Sequence, residues 1–79
     1  MKELIEYITL ALVDDPTNVE IKQERSGNHL HLLLRVAKED MGRIIGKGGR
    51  VANAMRTLLR VAAAREGIHS SLDVVEPRQ

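Results

Sequence analysis

The tetrapeptide Gly46-Lys47-Gly48-Gly49 constrains this chain more than any other stretch. Glycine lowers helix stability by about 1 kcal/mol relative to alanine, so three glycines in four positions end a helix rather than continue one. Apolar residues nevertheless recur at helical spacing on both sides. Met41, Ile44 and Ile45 make a short apolar face before the glycines. Val51, Met55, Leu58 and Ala62 make a longer stripe after them, at steps of four, three and four. The sequence therefore predicts two helices joined by a tight bend, with Gly46 closing the first in a left-handed conformation and Gly67 stopping the second.

The remaining elements follow from periodicity and punctuation. Leu4, Ile5, Ile8, Ala11 and Leu12 predict a helix over 2–13, stopped by Asp14-Asp15-Pro16. Val19, Ile21 and Gln23 alternate with polar residues and predict a strand. After a turn at Ser26-Gly27-Asn28, Leu30, Leu32, Leu34 and Val36 alternate with His29, His31, Leu33 and Arg35, giving the second arm of a hairpin. Leu72 and Val74 mark a last strand, ended by Pro77, with a mobile tail over 76–79. The class is α+β, in the order α-β-β-α-α-β. A three-stranded mixed sheet carries three helices on one face, and the long crossover makes the second and third strands parallel. The 79 residues suit one domain, spanning 1–79.

Composition narrows the chemistry. Tyr7 is the only aromatic residue, so the core is aliphatic and a platform of stacked rings is excluded. With no cysteine there is no disulfide, zinc–thiolate site or thiol nucleophile. The first residues carry Glu3 and Glu6 and read as a folded helix rather than a leader, and no apolar run is long enough for a membrane span. Charge is divided unevenly. Residues 1–42 hold five basic and eight acidic residues, residues 43–65 hold six basic residues and no acid, and residues 66–79 hold one basic and three acidic residues. A strongly basic segment inside an otherwise acidic chain points to an anionic partner at that segment.

Several glycine-rich motifs can be set aside by spacing. A Walker loop needs four residues before its Gly-Lys pair and a hydroxyl after it; Gly42 stands three residues before Gly46-Lys47, and Gly48 follows. A dinucleotide fingerprint would place its third glycine at Val51 and would follow a strand. A helix-turn-helix DNA reader shares the two-helix outline, with Arg50, Asn53 and Arg56 available to a groove, but such readers are usually wholly helical. What fits throughout is a G-x-x-G loop, 46–49, between two helices embedded among strands. "IIGKGGRV" resembles the KH-domain signature, and the element order resembles its type II arrangement. "VAKEDMGRIIGKGGRVANAMRTLL" is similar to the central segment of the stand-alone bacterial KH proteins of the KhpA (YlqC) family. One departure is Ala52, at a position where many KH domains carry a large aliphatic; the branched residue here is Val51.

The resemblance implies a clamp on single-stranded RNA made by Gly46, Lys47, Gly48 and Gly49, flanked by Arg43 and Arg50 and floored by aliphatics such as Ile45 and Val51. The physical rationale is that missing side chains let backbone amides approach a sugar–phosphate strand, with Lys47 as a point charge. The resemblance further implies a cytoplasmic post-transcriptional regulator or RNA chaperone, linked to cell shape and division. It would act as a homodimer or with a larger KhpB-type partner. The alternative is a protein-interaction module of KH shape, for which Leu33, Leu59 and Ala63 are the candidate exposed patch. Gly42 is assigned to close helix packing, and Arg56, Arg60 and Arg65 to solvated positions or pairs with Glu66 and other acids. No catalytic constellation, cofactor or metal is expected: His29, His31 and His69 lack cysteine or a positioned carboxylate, and His69-Ser70-Ser71 makes no triad.

Overall fold

A computed structural model of the chain describes residues 1–75, with Lys47 described by its backbone alone; the expectation about the tail over 76–79 falls outside the described residues. Helix α1 spans Lys2–Leu12, followed by a single 3-10 turn at Pro16–Asn18. Strands β1 (Glu20–Ser26) and β2 (His29–Arg35) form the hairpin, helical element α2 runs from Lys38 to Arg65, and β3 (His69–Val75) closes the chain. The sheet order is β1-β2-β3, with β1 antiparallel and β3 parallel to the central β2. This is the mixed sheet and the order that the type II KH resemblance implies.

The alternation in β2 sets the layers. Leu30, Leu32 and Leu34 are buried, whereas His29 is exposed and His31, Leu33 and Arg35 are half-buried. Helices therefore cover one face only. Beneath them Leu32, Leu34 and Val36 meet Ile5, Ile44, Ala52, Met55, Leu59 and Leu72 in one aliphatic core. Helix α1 runs antiparallel to α2. As its numbering rises from Met1 through Thr9 to Asp14, the partners fall from Ala63 through Met55 to Asp40.

Three expectations need correction. First, the chain does not turn at Gly46: the two expected helical arms, one on each side of the glycines, join as element α2, which is not straight. A straight helix of its 28 residues would be about 40 Å long. The whole fold measures 35 Å along its longest axis. The bend sits at Gly48 and Gly49, whose φ angles are +71° and +79°; Gly46 keeps a right-handed backbone. Second, the stripe on the C-terminal arm of α2 is Ala52, Met55, Leu59 and Ala63, one step around from the expected one except at Met55. Small residues at 52 and 63 let this arm lie close to the sheet, and Leu58 turns outward in consequence. Leu59 and Ala63 thus belong to the core, not to an exposed patch. Third, α1 buries Ile5 and Thr9, while Ala11 and Leu12 face solvent in its last turn.

The expected stop at Gly67 is met in detail. Its φ is +70°, its N–H donates to Ala64 O at 3.1 Å, and the Ile68 N–H donates to Ala63 O at 3.1 Å. This is the paired hydrogen-bond pattern of a glycine-terminated helix, with Ile68 packing back on Ala63.

Candidate nucleic-acid interface

The bend brings Gly42, Arg43, Gly46, Arg50 and Val51 around one open cleft of about 370 Å³. Four of these, Arg43, Gly46, Arg50 and Val51, are residues singled out from the sequence. Gly48 and Gly49 form the bend itself. Their left-handed conformation favours glycine, and a step from right- to left-handed backbone turns successive N–H groups toward a common point where an anion can sit.

Gly42 and Gly46 differ from the bend glycines. Both lie within the helical arm without positive φ, and a Cβ built on either meets nothing within 4 Å. Conformation therefore does not require glycine there, and neither does internal packing, which corrects the assignment of Gly42 to close helix contact. Spaced four apart, the two lie on one helical face and leave a bare strip of backbone along the cleft.

The aliphatic neighbours divide cleanly. Ile44 is fully buried and Ile45 is 45% exposed, flanking the bare strip at three residues from Gly42. Ala52 occupies a core position, and half-buried Val51 forms part of the cleft wall. The departure noted at Ala52 is thus a core matter that leaves the cleft to Val51.

The cations are placed unequally. Arg50 is exposed and makes no ion pair among the described residues. Arg43 is engaged: its Nη2 donates to Asp14 Oδ2 at 2.5 Å and its Nε lies 3.5 Å from Asp40 Oδ1. Arg56 is structural, with Nε donating to Leu72 O at 2.9 Å and Nη1 to Asn53 Oδ1 at 2.9 Å, so it ties α2 to β3 rather than pairing with an acid. Arg60 is exposed beside Ser70 and Ser71, in a further cleft of about 270 Å³ between α2 and β3.

Sequence reasoning missed Asp40. It is 1% exposed, and its carboxylate accepts the backbone N–H groups of Asp14 at 3.0 Å and of Asp15 at 3.1 Å. It bolts the turn after α1 to the arm that carries the bare strip. An acid in a first helical turn is usually explained by the helix dipole alone, so the sequence gives no sign of this second role. Asp15 in turn is held below the ordinary aspartate range, first by the Thr17 hydroxyl and then by the Asn18 amide, each donating at 2.6 Å.

The histidines lie on the uncovered sheet face. His29 Nε2 is 3.0 Å from Ser71 Oγ, and His31 Nε2 is 2.8 Å from Asp73 Oδ2. Among the described residues no group of three or more His, Cys, Asp or Glu is placed to hold a metal. No helix among them is long and apolar enough to cross a membrane.

Comparison with known proteins matches residues 2–74 to the KH domain of the KhpA/KhpB family. The chain is 41% identical over 76 residues to the RNA-binding protein KhpA of Halalkalibacterium halodurans, covering 96% of this chain and all of the relative. It is 45% identical over 78 residues to the protein of the same name from Chlamydia trachomatis, covering 99% of this chain and all of that one. A third, from Caldanaerobacter subterraneus, is 47% identical over 66 residues, covering 84% of this chain and 88% of the relative.

Proposed function

The chain belongs to the KhpA/KhpB KH-domain family, a non-enzymatic one, and from that premise we propose that it binds single-stranded RNA along residues 42–51. The sugar–phosphate backbone runs over the bare strip at Gly42 and Gly46 and into the bend at Gly48 and Gly49. Lys47 and Arg50 supply charge there, and Ile45 and Val51 offer apolar surface to the bases. Arg43 stands at the rim. The single observation that carries this reading is the pair Gly42 and Gly46, two helix-weakening residues that neither φ nor packing demands. A ligand that approaches the backbone closely supplies the missing reason.

Gly46→Asp tests the reading without straining the fold, since the position is right-handed and open. Gly48→Asp is a poorer probe because it must adopt φ near +71°. Gly46→Asp is expected to keep the unfolding temperature and to abolish binding of a short single-stranded RNA. Undiminished binding would refute the clamp.

We further propose that the protein acts in the cytoplasm as a dimer, with itself or with a KhpB-type partner, in post-transcriptional regulation or RNA chaperoning. One observation favours assembly: Tyr7 and Leu10 of α1 and Leu58 and Val61 of α2 are between 44% and 77% exposed. Apolar side chains of this size on the outer side of the helical layer suit burial against another protein. They replace Leu59 and Ala63 as the candidate association surface. A dimer would offer two weak sites to one RNA and so raise its apparent affinity.

A further inference from the structure

We infer that Asp14 is an internal competitor for the cleft: its carboxylate occupies Arg43 in the place of a nucleic-acid phosphate and thereby sets the affinity and salt dependence of strand binding. The inference rests on the reading that single-stranded RNA lies along residues 42–51. Arg43 lines the cleft, yet its guanidinium is already met by Asp14 Oδ2 at 2.5 Å.

The placement of Asp14 is built rather than incidental. The buried Asp40 carboxylate holds the backbone N–H groups of Asp14 and Asp15, and Thr17 and Asn18 hold the Asp15 side chain. A turn fixed at these points presents the Asp14 carboxylate to the cleft rim. The Arg43–Asp14 pair is itself exchangeable, with side chains 52% and 74% exposed. Exposed pairs of this kind are weak, and a phosphodiester able to engage the guanidinium at two points can displace the carboxylate. Asp40 behaves differently: at 1% side-chain exposure it stays in place when the outer pair opens.

Two consequences follow. Phosphate must displace Asp14 before Arg43 can serve it, and the displaced carboxylate remains close enough to repel the strand. Arg50, with no ion pair among the described residues, meets the strand without this competition. The native cleft therefore counts fewer working cations than its sequence contains, and its binding is weaker and less salt-dependent than the basic segment alone would give.

The test is a double-mutant cycle on the full chain, with a short single-stranded oligouridylate titrated across a series of KCl concentrations. Asp14→Asn keeps the backbone donor to Asp40 and removes the charge; Asp14→Ser does the same with a smaller side chain. Each is expected to bind about threefold to tenfold tighter at low salt, and to steepen the log–log salt slope by about 0.7, the value for one added single-strand phosphate contact. Arg43→Gln alone leaves the Asp14 charge unneutralised at the cleft rim and weakens binding, and Arg43→Gln combined with Asp14→Asn binds no tighter than the native chain, so the gain over native is lost. Glu24→Gln, which removes the same charge from β1, does not tighten binding. If the native chain binds and Asp14→Asn does not tighten it, or if the gain survives in the double variant, the competitor is refuted while the clamp stands. If neither the native chain nor the Asp14 variants bind, the clamp itself fails and the competitor with it.

Discussion

At Gly42 and Gly46 helix stability is given up where the local backbone does not ask for it. Both residues are right-handed, both border open space, and both line the same cleft. Gly42→Ala is therefore expected to raise stability by about 0.5–1 kcal/mol, a gain of several degrees in Tm for a domain of this size. The same change should weaken RNA binding by about 1 kcal/mol, or about fivefold, because a methyl group stands between strand and backbone. Calorimetry and anisotropy on one preparation check both signs. A variant that is more stable and binds as well as the native chain would remove the reason given for this glycine. The sequence made these glycines visible but assigned them wrongly. Gly46 looked like a left-handed helix end and Gly42 like a packing contact, since spacing alone does not distinguish a glycine needed for its φ from one needed for its bareness. Arg43 is a similar case. Its proximity to the glycines was legible, whereas its pairing with Asp14, 29 positions upstream, depends on the tertiary contact that Asp40 makes.

Among the elements, those with local punctuation were readable and those decided by packing were not. The end of α2 at Gly67 and the hairpin turn at Gly27, with φ of +59°, follow from residues that favour one backbone conformation. The inward face of β2 followed from the period-two spacing of Leu30, Leu32 and Leu34, with Leu33 on the opposite face. The face of the C-terminal arm of α2 did not, because hydrophobicity ranked Leu58 above Ala52 and Ala63. Close approach of helix and sheet reverses that order. The turn after α1 offers a pH test of how it is held. The Asp15 carboxyl lies below the ordinary aspartate range when folded, owing first to Thr17 and then to Asn18. A depressed folded value means that its contribution is fully present above about pH 4 and is lost as pH falls through the folded value. Asp15→Ala is expected to lower Tm at neutral pH, with the difference from the native chain narrowing as the pH is taken below that range. A difference that is constant across the acid range would show that the carboxylate does not staple this turn.

For the whole molecule, one sheet face packed by helices and one left open separates two roles. The helical layer carries both the bare strip and the exposed Tyr7, Leu10, Leu58 and Val61, while the sheet's outer face is polar and laced by Arg35–Glu20 and His31–Asp73 pairs. Leu58→Glu is expected to shift sedimentation toward the monomer while leaving that monomer folded, since the side chain is already half exposed in the single chain. An unchanged profile would count against this surface. The most direct test concerns the cleft itself. In a titration of the isotopically labelled chain with a short single-stranded RNA at low ionic strength, the backbone amide resonances of residues 42–51 should move together and saturate, with those of β1 left in place. RNA that binds while these amides stay unmoved would contradict the account.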